Sequence, residues 1–319
     1  MKKCFICYQP LNENSQSDYH QKCSKRFFNT ANAPKLEYKL DEINSLAKQV
    51  VKQKIAIPGV QPKLSLTFNQ QKNSSEKRLT IIGLWDGLFI LKPPSKEFPQ
   101  LPENEDLTMH LAKLCGITTA EHALIRFSSG EIAYISKRFD RKLYRKKVIK
   151  RHQEDLCQIL GLLTENKYNS SHEKIAKQVL KHTTNTGLEL ISLFKLVVFC
   201  FLTGNSDMHL KNFSFVYNDD ESISLSPAYD LLSTQLVLPK DQEDLALTLC
   251  GKKKNLTKND FYKFAAHCQL NKKVVDNIFS DFTKALEKFP DKIISSFLSE
   301  DMAKNYLNIV YEKAERLKL

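Results

Sequence analysis

An aspartate, an asparagine and a second aspartate in this 319-residue chain have the types and spacing that phosphoryl transfer requires. Asp207 stands five residues before Asn212, and Asp230 follows a short apolar stretch that contains Ile223 and Leu225. In such sites one carboxylate accepts the proton of the substrate hydroxyl, while an amide and another carboxylate hold magnesium. The pattern predicts Asp207 as the catalytic base, with Asn212 and Asp230 as magnesium ligands. The alternative is a solvated polar loop, because an isolated pair with this spacing has low specificity.

Regular elements on both sides are expected to position these residues. The apolar run over residues 188–202 predicts a buried helix that ends at Thr203-Gly204, so the loop leaves a rigid element. The alternating residues 222–225 predict a strand that delivers Asp230. His209 and Lys211 lie within the loop, and we predict that both act beside the catalytic carboxylate.

A second set of residues, upstream of the loop, could bind a nucleotide. Lys92 ends an apolar strand, and Glu105 lies in the helix that follows. A strand lysine paired with a helix glutamate orients the phosphates of ATP in protein kinases. Alternatively, Lys92 is a snorkelling surface residue and Glu105 is a first-turn carboxylate stabilised by the helix dipole. Farther upstream, a glycine-containing turn between two strands predicts a flap over the phosphates, formed by Pro58, Gly59, Val60, Gln61, Pro62 and Lys63.

Four potential metal ligands lie within the first thirty residues. Cys4 and Cys7 form one Cys-x2-Cys pair, and His20 and Cys23 form a His-x2-Cys pair, a spacing that fits tetrahedral zinc. The alternative is that the thiols are reduced and pack as small apolar side chains. Four protein ligands would close the site, so any zinc would be structural. Since these residues are remote in sequence from the phosphate-binding motifs, we expect catalysis to be independent of them.

Charge and hydropathy restrict the class of protein. The formal net charge is +12, with lysine and arginine dense over residues 137–151. This predicts either a solvated basic face or attraction to nucleotide phosphates or to an acidic or nucleic-acid-bound partner. The N-terminus has no apolar core typical of a signal peptide, and the most apolar stretch, 196–202, is far below the ~20 residues that span a bilayer. We therefore expect a cytoplasmic protein with no membrane partner and no disulfide framework.

The order of elements predicts an α+β fold with a small β-rich N-lobe and a larger helical C-lobe. Residues 1–37 would form the Cys/His knuckle, 38–140 the N-lobe and 141–319 the C-lobe. A helix is expected over 38–53, and strands over 79–84 and 88–92 are expected to form a hairpin around Asp86-Gly87. Further helices are predicted over 258–268, 273–289 and 301–316.

In this order the motifs resemble the HipA-type toxin kinases, the serine/threonine kinases of bacterial toxin–antitoxin systems. The resemblance covers roughly residues 50–260 and rests on blocks at 59–63, 91–93, 104–105, 138–141, 153–158, 207–214 and 229–230. It implies a two-lobed protein-kinase-like HipA fold with ATP between the lobes. Asp207 would be the base, Asn212 and Asp230 would hold Mg, and Lys92 would bind the α and β phosphates.

The resemblance also implies further contacts with the nucleotide. The flap would line the phosphates, and backbone groups at Lys137 and Phe139 would hold adenine. Tyr229, beside Asp230, belongs to the same predicted nucleotide-binding set. The cofactors implied are ATP and Mg, to which the knuckle adds a candidate Zn.

Two departures from the family pattern concern control. Family members often carry a serine before the flap glycine, where autophosphorylation inactivates the kinase, but this chain has Ala56-Ile57-Pro58 there. The segment before the flap is also shorter than the N-terminal subdomain of full-length members. The chain therefore resembles the short three-component, HipT-like form. A small HipS-like antitoxin and a HipB-like DNA-binding protein are the partners expected to restrain it.

The leading hypothesis is an ATP- and Mg-dependent serine/threonine-protein kinase toxin that phosphorylates an aminoacyl-tRNA synthetase and stalls translation. Three alternatives are a kinase acting on another protein, such as a host protein reached by a non-classical secretion route, a nucleic-acid-binding zinc protein, and a pseudokinase scaffold. The intact Asp207, Asn212, Asp230 and Lys92 argue against the scaffold. Few aromatic residues interleave with the basic run, which argues against nucleic-acid binding.

Overall fold

The computed structural model of the protein describes residues 2–43, 45, 63–69, 78–81, 87–144 and 147–319. The helix predicted over 38–53 is described only near its start, where residues 40–43 are helical. The other helices in the described residues are α1 (Gln21–Phe28), α2 (Leu101–Leu114), α3 (Leu156–Ile159), α4 (His172–His182), α5 (Thr186–Leu202), α6 (Thr234–Val237), α7 (Lys258–His267), α8 (Lys272–Leu286), α9 (Phe289–Ile294) and α10 (Glu300–Leu317). The strands are β1 (Leu64–Asn69), β2 (Arg78–Ile81), β3 (Phe89–Lys92), β4 (His122–Arg126), β5 (Ile132–Lys137), β6 (Arg141–Tyr144), β7 (Lys147–Lys150), β8 (Gln153–Asp155), β9 (Ser214–Tyr217) and β10 (Ile223–Leu225).

The chain forms two compact units. The first comprises residues 1–106 and 120–150, and the second comprises 107–119 and 151–319. Strands β1 to β7 lie in the first unit, while most of the helices lie in the second. The predicted α+β class, with a β-rich N-terminal part and a helical C-terminal part, is confirmed.

An antiparallel five-stranded sheet, of order β2-β1-β3-β5-β4, forms the centre of the first unit. Strand β1 pairs with β2 through Leu66 and Ile81 and with β3 through Leu66 and Phe89. Leu66, Phe89 and Leu91 are buried, with at most 1% of their surface exposed. This apolar layer fixes the strand that ends at Lys92.

The hairpin predicted around Asp86-Gly87 is wrong, because β1 lies between β2 and β3. Gly87 instead lets two backbones approach closely. Its N–H donates to the hydroxyl of Ser65 at 2.8 Å, and a Cβ at this position would lie 2.4 Å from the carbonyl oxygen of Leu66. A glycine that is required for packing therefore has the same local sequence as a turn glycine.

Helix α5 is the central element of the second unit. Its residues Leu193, Phe194, Val197, Val198, Phe199, Phe201 and Leu202 are each fully buried. Phe194 stacks on Phe264 with ring centroids 6.0 Å apart, and Phe201 meets Phe261 edge-on at 5.3 Å. These contacts hold α5 against α7 and so fix the point at which the following loop begins.

The helix predicted over residues 273–289 is wrong in its extent, because α8 ends at Leu286 and α9 begins at Phe289. Pro290 lies in the first turn of α9. Proline has no N–H to donate, so a helix tolerates it only near its start, and the chain breaks there. Among the described residues, no helix combines the length and the apolarity that a bilayer crossing requires.

His172, at the start of α4, gives the fold a pH-dependent stability. Its ring packs edge-on against Phe213 and Phe264, and within the described part of the chain neither ring nitrogen has a hydrogen-bond partner. Burial lowers the pKa of His172 to about 4. The unfolded chain binds the proton near pH 6.5, so the folded state is favoured above that pH and loses stability as the pH falls towards 4.

We expect wild-type protein to lose about 3 kcal/mol of stability between pH 7 and pH 4 through this residue. His172→Phe keeps an aromatic ring at the site but removes the titration. Urea unfolding over this pH range gives the free energy of unfolding of each protein as a function of pH. The difference between the two slopes is due to His172, because the contributions of all other groups cancel. Parallel loss of stability in the two proteins would contradict the assignment.

Candidate active site and Cys/His knuckle

The loop that carries Asp207 is fixed where it leaves α5. Gly204 has φ +62°, and a Cβ there would lie 2.7 Å from the side-chain oxygen of Gln235, so glycine is required. The carbonyl of Gly204 accepts hydrogen bonds from the hydroxyl of Thr234 at 2.9 Å and from the N–H of Gln235 at 3.1 Å. The buried Asn205 accepts from the N–H of Asp207 at 3.1 Å. The loop backbone is therefore held on both sides of its first turn.

Three contacts define the surroundings of Asp207. The hydroxyl of Tyr168 donates to Asp207 Oδ1 at 2.5 Å. The side-chain amide of Asn212 donates to the Asp207 carbonyl at 3.1 Å, as does the N–H of His209 at 2.8 Å. The two residues predicted as base and magnesium ligand are thus joined by a hydrogen bond. Because Nδ2 of Asn212 is used in this bond, Oδ1 is its atom for metal ligation.

His209 is neutral near pH 7. Burial lowers its pKa to about 4, although the carboxylate of Asp207 acts in the opposite direction. Its ring meets Tyr168 edge-on at 5.1 Å, and the buried Nδ1 has no hydrogen-bond partner within the described part of the chain. The loop thus brings a neutral imidazole, with one unsatisfied ring nitrogen, next to the predicted base.

Lys211 has a partner that the sequence did not indicate. Its ammonium donates to Oδ2 of Asp155 at 2.6 Å. Asp155 also caps α3, where it accepts the N–H of Gln158 at 3.0 Å. This ion pair joins the loop that carries Asp207 to the β8–α3 corner.

The segment that leads to Asp230 is anchored at Ala228 and at Tyr229. The N–H of Ala228 donates to the Thr118 carbonyl at 2.8 Å. The hydroxyl of Tyr229 lies 2.6 Å from that of Ser214 and donates to the Lys211 carbonyl at 2.8 Å. Asp230 has φ +56°, in the left-handed region that aspartate tolerates better than most residues. Tyr229 therefore joins the segment before Asp230 to the loop that carries Asp207.

The chemistry of the donors fits magnesium. Asp230 offers carboxylate oxygens and Asn212 an amide oxygen, which are the hard ligands that Mg²⁺ prefers. The Asn212 amide is oriented by its bond to the Asp207 carbonyl.

In the first unit, Lys92 and Glu105 form a buried ion pair. Lys92 Nζ lies 2.5 Å from Glu105 Oε1, and the two side chains are 4% and 2% exposed. The ammonium also lies over the ring of Tyr134, 5.4 Å from its centroid. Helix α2 begins at Leu101, so Glu105 is beyond its first turn and Glu103 is the first-turn acid. The buried pair replaces both alternatives, the snorkelling lysine and the dipole-stabilised glutamate.

The remaining predicted nucleotide contacts are the flap residues 58–63, Lys137 and Phe139. Pro58, Gly59, Val60, Gln61 and Pro62 lie outside the described residues, and Lys63 is exposed directly before β1. The N–H of Lys137 donates to the Glu121 carbonyl at 2.8 Å, so an adenine contact there would have to come from its carbonyl oxygen. The role of Phe139 stays a prediction.

The four N-terminal ligand candidates converge. The ligand atoms of Cys4, Cys7, His20 and Cys23 all lie within 4.8 Å of one another. The Nδ1 atom of His20 is 3.4 Å from the Cys7 sulfur and 3.9 Å from the Cys23 sulfur. Tetrahedral zinc with Zn–S bonds of ~2.3 Å would place sulfur atoms about 3.8 Å apart. The Nε2 atom of His20 lies 3.0 Å from the Pro10 carbonyl, the outer contact that leaves Nδ1 as the metal-facing nitrogen. The cluster fits a zinc ion.

Sequence reasoning missed two residues of the site. Asp155 stands in one of the blocks that carry the family resemblance, at 153–158, but its pairing with Lys211 was not predicted. Tyr168 had no local signal, since it lies in a loop 39 residues before Asp207.

Tyr168→Phe is expected to lower kcat about tenfold and to leave the KM for ATP nearly unchanged. A hydrogen bond to a charged group is worth about 1.5–3 kcal/mol, and this one orients the carboxylate of the base. Tyr262→Phe is the matched control, because Tyr262 donates in the same way to Asp276 on α8. Steady-state kinetics measures both variants. An unchanged kcat in Tyr168→Phe would remove Tyr168 from the site.

The donors of this loop fit phosphoryl transfer, and comparison with known proteins identifies the family. Residues 55–289 match the HipA-like C-terminal domain. A Haemophilus influenzae protein named "Putative kinase" is 29% identical, over 94% of this chain and 93% of its own length. The serine/threonine-protein kinase toxin HipA of Shewanella oneidensis is also 29% identical, over 60% of this chain and 46% of its own length. The chain thus spans nearly all of the first relative and about half of the second.

Solved structures agree in fold. The HipA chain in a complex of Shewanella oneidensis HipA, HipB and operator DNA has a TM-score of 0.70 at 22% identity, covering 89% of this chain and 72% of that one. The Helicobacter pylori proinflammatory kinase CtkA has a TM-score of 0.53 at 16% identity, covering 72% of this chain and 87% of that one. The predicted two-lobed, kinase-like fold is confirmed.

The matched segment is more than half of the chain, and the chain belongs to the HipA-like C-terminal domain family. The predicted enzyme class, a serine/threonine-protein kinase of the HipA type, is confirmed by these relatives.

Proposed function

We propose that the protein is an ATP- and magnesium-dependent serine/threonine kinase that acts as the toxin of a toxin–antitoxin system. The observation that carries the proposal is the fixed loop of Asp207, in which the Asp207 carbonyl accepts from Asn212 and the Asp207 carboxylate accepts from Tyr168 of another segment. The buried Lys92–Glu105 pair of the first unit supports it. Such an arrangement suits phosphoryl transfer, which depends on positioning and on charge stabilisation more than on covalent help.

In the proposed reaction, the hydroxyl oxygen of a substrate serine or threonine forms a bond to the γ-phosphorus of ATP. The bond from that phosphorus to the bridging oxygen breaks, ADP leaves, and the hydroxyl proton passes to the carboxylate of Asp207. Tyr168 and the Asn205 contact hold Asp207 for this transfer. Asn212 and Asp230 would hold magnesium, which neutralises charge on the phosphates when bound. Lys92 would bind the α and β phosphates, oriented by Glu105.

The proposed target is an aminoacyl-tRNA synthetase, whose phosphorylation would stall translation. The support is membership of a family whose Shewanella oneidensis member is named a kinase toxin. A HipB-like DNA-binding protein is the proposed antitoxin partner, since the Shewanella HipA structure is a complex with HipB and operator DNA. A small HipS-like protein is proposed as a second partner, because Ala56-Ile57-Pro58 offers no serine for self-inactivation before the flap glycine.

The test is incubation of the purified chain with γ-labelled ATP, magnesium and a cell lysate, followed by mass spectrometry of the labelled bands. Wild-type protein should place phosphate on serine or threonine of a synthetase. Labelling of other proteins alone would favour a different target within the same chemistry. Absence of transfer to any protein or to the chain itself would contradict the kinase proposal.

We also infer that the Cys/His knuckle, formed by Cys4, Cys7, His20 and Cys23, binds one structural zinc ion. The convergence of the ligand atoms and the outer contact of His20 support this. Metal analysis of protein purified without chelator should find about one zinc per chain.

A further inference from the structure

The knuckle and the Lys92–Glu105 ion pair are connected through the interior of the first unit. Tyr8, directly after the knuckle cysteine Cys7, donates its hydroxyl to Asp106 Oδ2 at 2.5 Å. Asp106 follows Glu105 on α2, and its other oxygen lies 2.6 Å from Nδ1 of His122. Tyr8 is 2% exposed, and the side chains of Asp106 and His122 are fully buried.

Further contacts lead from His122 to the Lys92–Glu105 ion pair. The ring of His122 stacks on Tyr134, with centroids 6.1 Å apart and planes at 21°. The ammonium of Lys92 lies over the same Tyr134 ring, 5.4 Å from its centroid, and donates to Glu105. The buried hydroxyl of Tyr8 therefore connects the knuckle to the acidic pair Glu105 and Asp106 of α2. Through this pair it is connected to Lys92, the predicted phosphate-binding lysine.

A second, apolar connection runs from the knuckle to the strand that carries the lysine. Helix α1 begins at Gln21, directly after His20, contains Cys23 and ends in Phe27 and Phe28. Both rings pack against Phe89 of β3, at centroid distances of 5.6 and 5.9 Å. Phe89 opens the same four-residue strand that Lys92 closes. The knuckle thus supports both members of the ion pair.

The backbone of Tyr8 shows why closure of the knuckle matters. Tyr8 has φ +68°, a left-handed conformation that costs a tyrosine roughly 1–2 kcal/mol. Its N–H donates to the Cys4 carbonyl at 2.9 Å, within the turn that brings Cys4 and Cys7 together. Such a conformation persists where the surroundings over-determine it. A metal bound to both cysteines would hold the turn, and with it the direction of the Tyr8 side chain.

We propose that zinc in the knuckle positions the Lys92–Glu105 ion pair through Tyr8, so that metal occupancy controls nucleotide affinity. This rests on the proposed role of Lys92 in nucleotide binding, and it makes Tyr8 a positioning residue. It replaces the expectation from sequence distance that catalysis is independent of the knuckle.

Two tyrosines of the N-terminal segment provide a matched test. Tyr8→Phe removes the hydroxyl that reaches Asp106. Tyr19→Phe removes another buried hydroxyl, which donates to the Leu124 carbonyl at 2.7 Å instead of to an acid of α2. Full-length wild type and both variants are compared with Cys23→Ser, which removes the sulfur of one proposed zinc ligand. The readouts are zinc content, the Kd for a fluorescent ADP analogue with magnesium, and hydrogen exchange of the amides at 101–106.

We expect Tyr8→Phe to keep its zinc, to weaken nucleotide binding three- to tenfold, and to exchange faster at 101–106. Cys23→Ser should lose zinc and show both effects more strongly, with KM for ATP raised more than kcat is lowered. Tyr19→Phe should match wild type in all three readouts. Zinc loss without faster exchange at 101–106 would overturn the proposal, as would equal effects in the two tyrosine variants.

The exchange and metal readouts do not depend on nucleotide. If no protein, including wild type, binds the analogue, the proposed function fails, while faster exchange in Tyr8→Phe and Cys23→Ser would still support the coupling. Normal exchange in both variants together with nucleotide binding by wild type would overturn the coupling alone.

Discussion

Replacing Asp207 by Asn is expected to lower kcat by about 10²–10⁴-fold while the fold is retained. An amide cannot accept the substrate proton, but it has nearly the volume of the carboxylate. Apart from the bond to Tyr168, the contacts of Asp207 within the loop run through its backbone, whose N–H and carbonyl bond to Asn205 and Asn212. These bonds do not depend on the side chain. Single-turnover transfer from γ-labelled ATP to a protein substrate measures the effect, and thermal unfolding checks the fold.

Asp276→Asn is the matched control for this experiment. Asp276 on α8 accepts a hydrogen bond from Tyr262, as Asp207 does from Tyr168, but it lies outside the catalytic loop. Its replacement should leave kcat within twofold of wild type. Wild-type turnover in Asp207→Asn would show that another group takes the proton.

Replacing Lys92 by Met is expected to cost stability as well as function. Glu105 would remain 1% exposed without its ammonium partner, and breaking a buried ion pair from one side costs about 3–5 kcal/mol. The affinity for the magnesium–nucleotide complex should fall by at least tenfold. Urea unfolding and nucleotide binding measure the two losses on the same preparation.

The double variant Lys92→Met/Glu105→Leu separates these losses. Replacing both charges by apolar side chains removes the buried carboxylate that has lost its ammonium, so most of the lost stability should return. Nucleotide affinity should not return, because the cation is still absent. Lys253→Met serves as a control near the surface, since its pair with Glu243 is 3.4 Å long and partly exposed, and surface pairs are worth about 0–1 kcal/mol. Recovery of nucleotide binding in the double variant would rule out Lys92 as the phosphate ligand.

Local signals in the sequence were sufficient for the elements that present the site. The apolar run before Asp207 predicted α5 to within two residues at its start, because a long run of apolar residues indicates a mostly buried helix without reference to distant segments. The pairing of Lys92 with Glu105 followed from a strand and a helix that are adjacent along the chain. The roles of Asp207, Asn212 and Asp230 stay predictions that the geometry supports.

Contacts between distant segments were not predictable from the chain alone. The partners Tyr168 and Asp207 are separated by 39 residues, and Tyr8 and Asp106 by 98. No periodicity or motif specifies such pairs, since they depend on how whole elements pack. The sheet order has the same origin, because insertion of β1 between β2 and β3 is set by tertiary pairing and not by the Asp86-Gly87 dipeptide.

Helix α2 carries two buried carboxylates in succession, Glu105 and Asp106, each held by its own donors. Kinases can be switched off by swinging the helix that bears the glutamate away from the lysine. Here that swing would remove these donors from both acids at once, and breaking a buried charge-assisted contact from one side costs several kcal/mol. With the Tyr8 contact intact, displacement of α2 is therefore energetically unfavourable. An inhibitor of this kinase has more to gain by covering the nucleotide or the protein substrate than by displacing the helix.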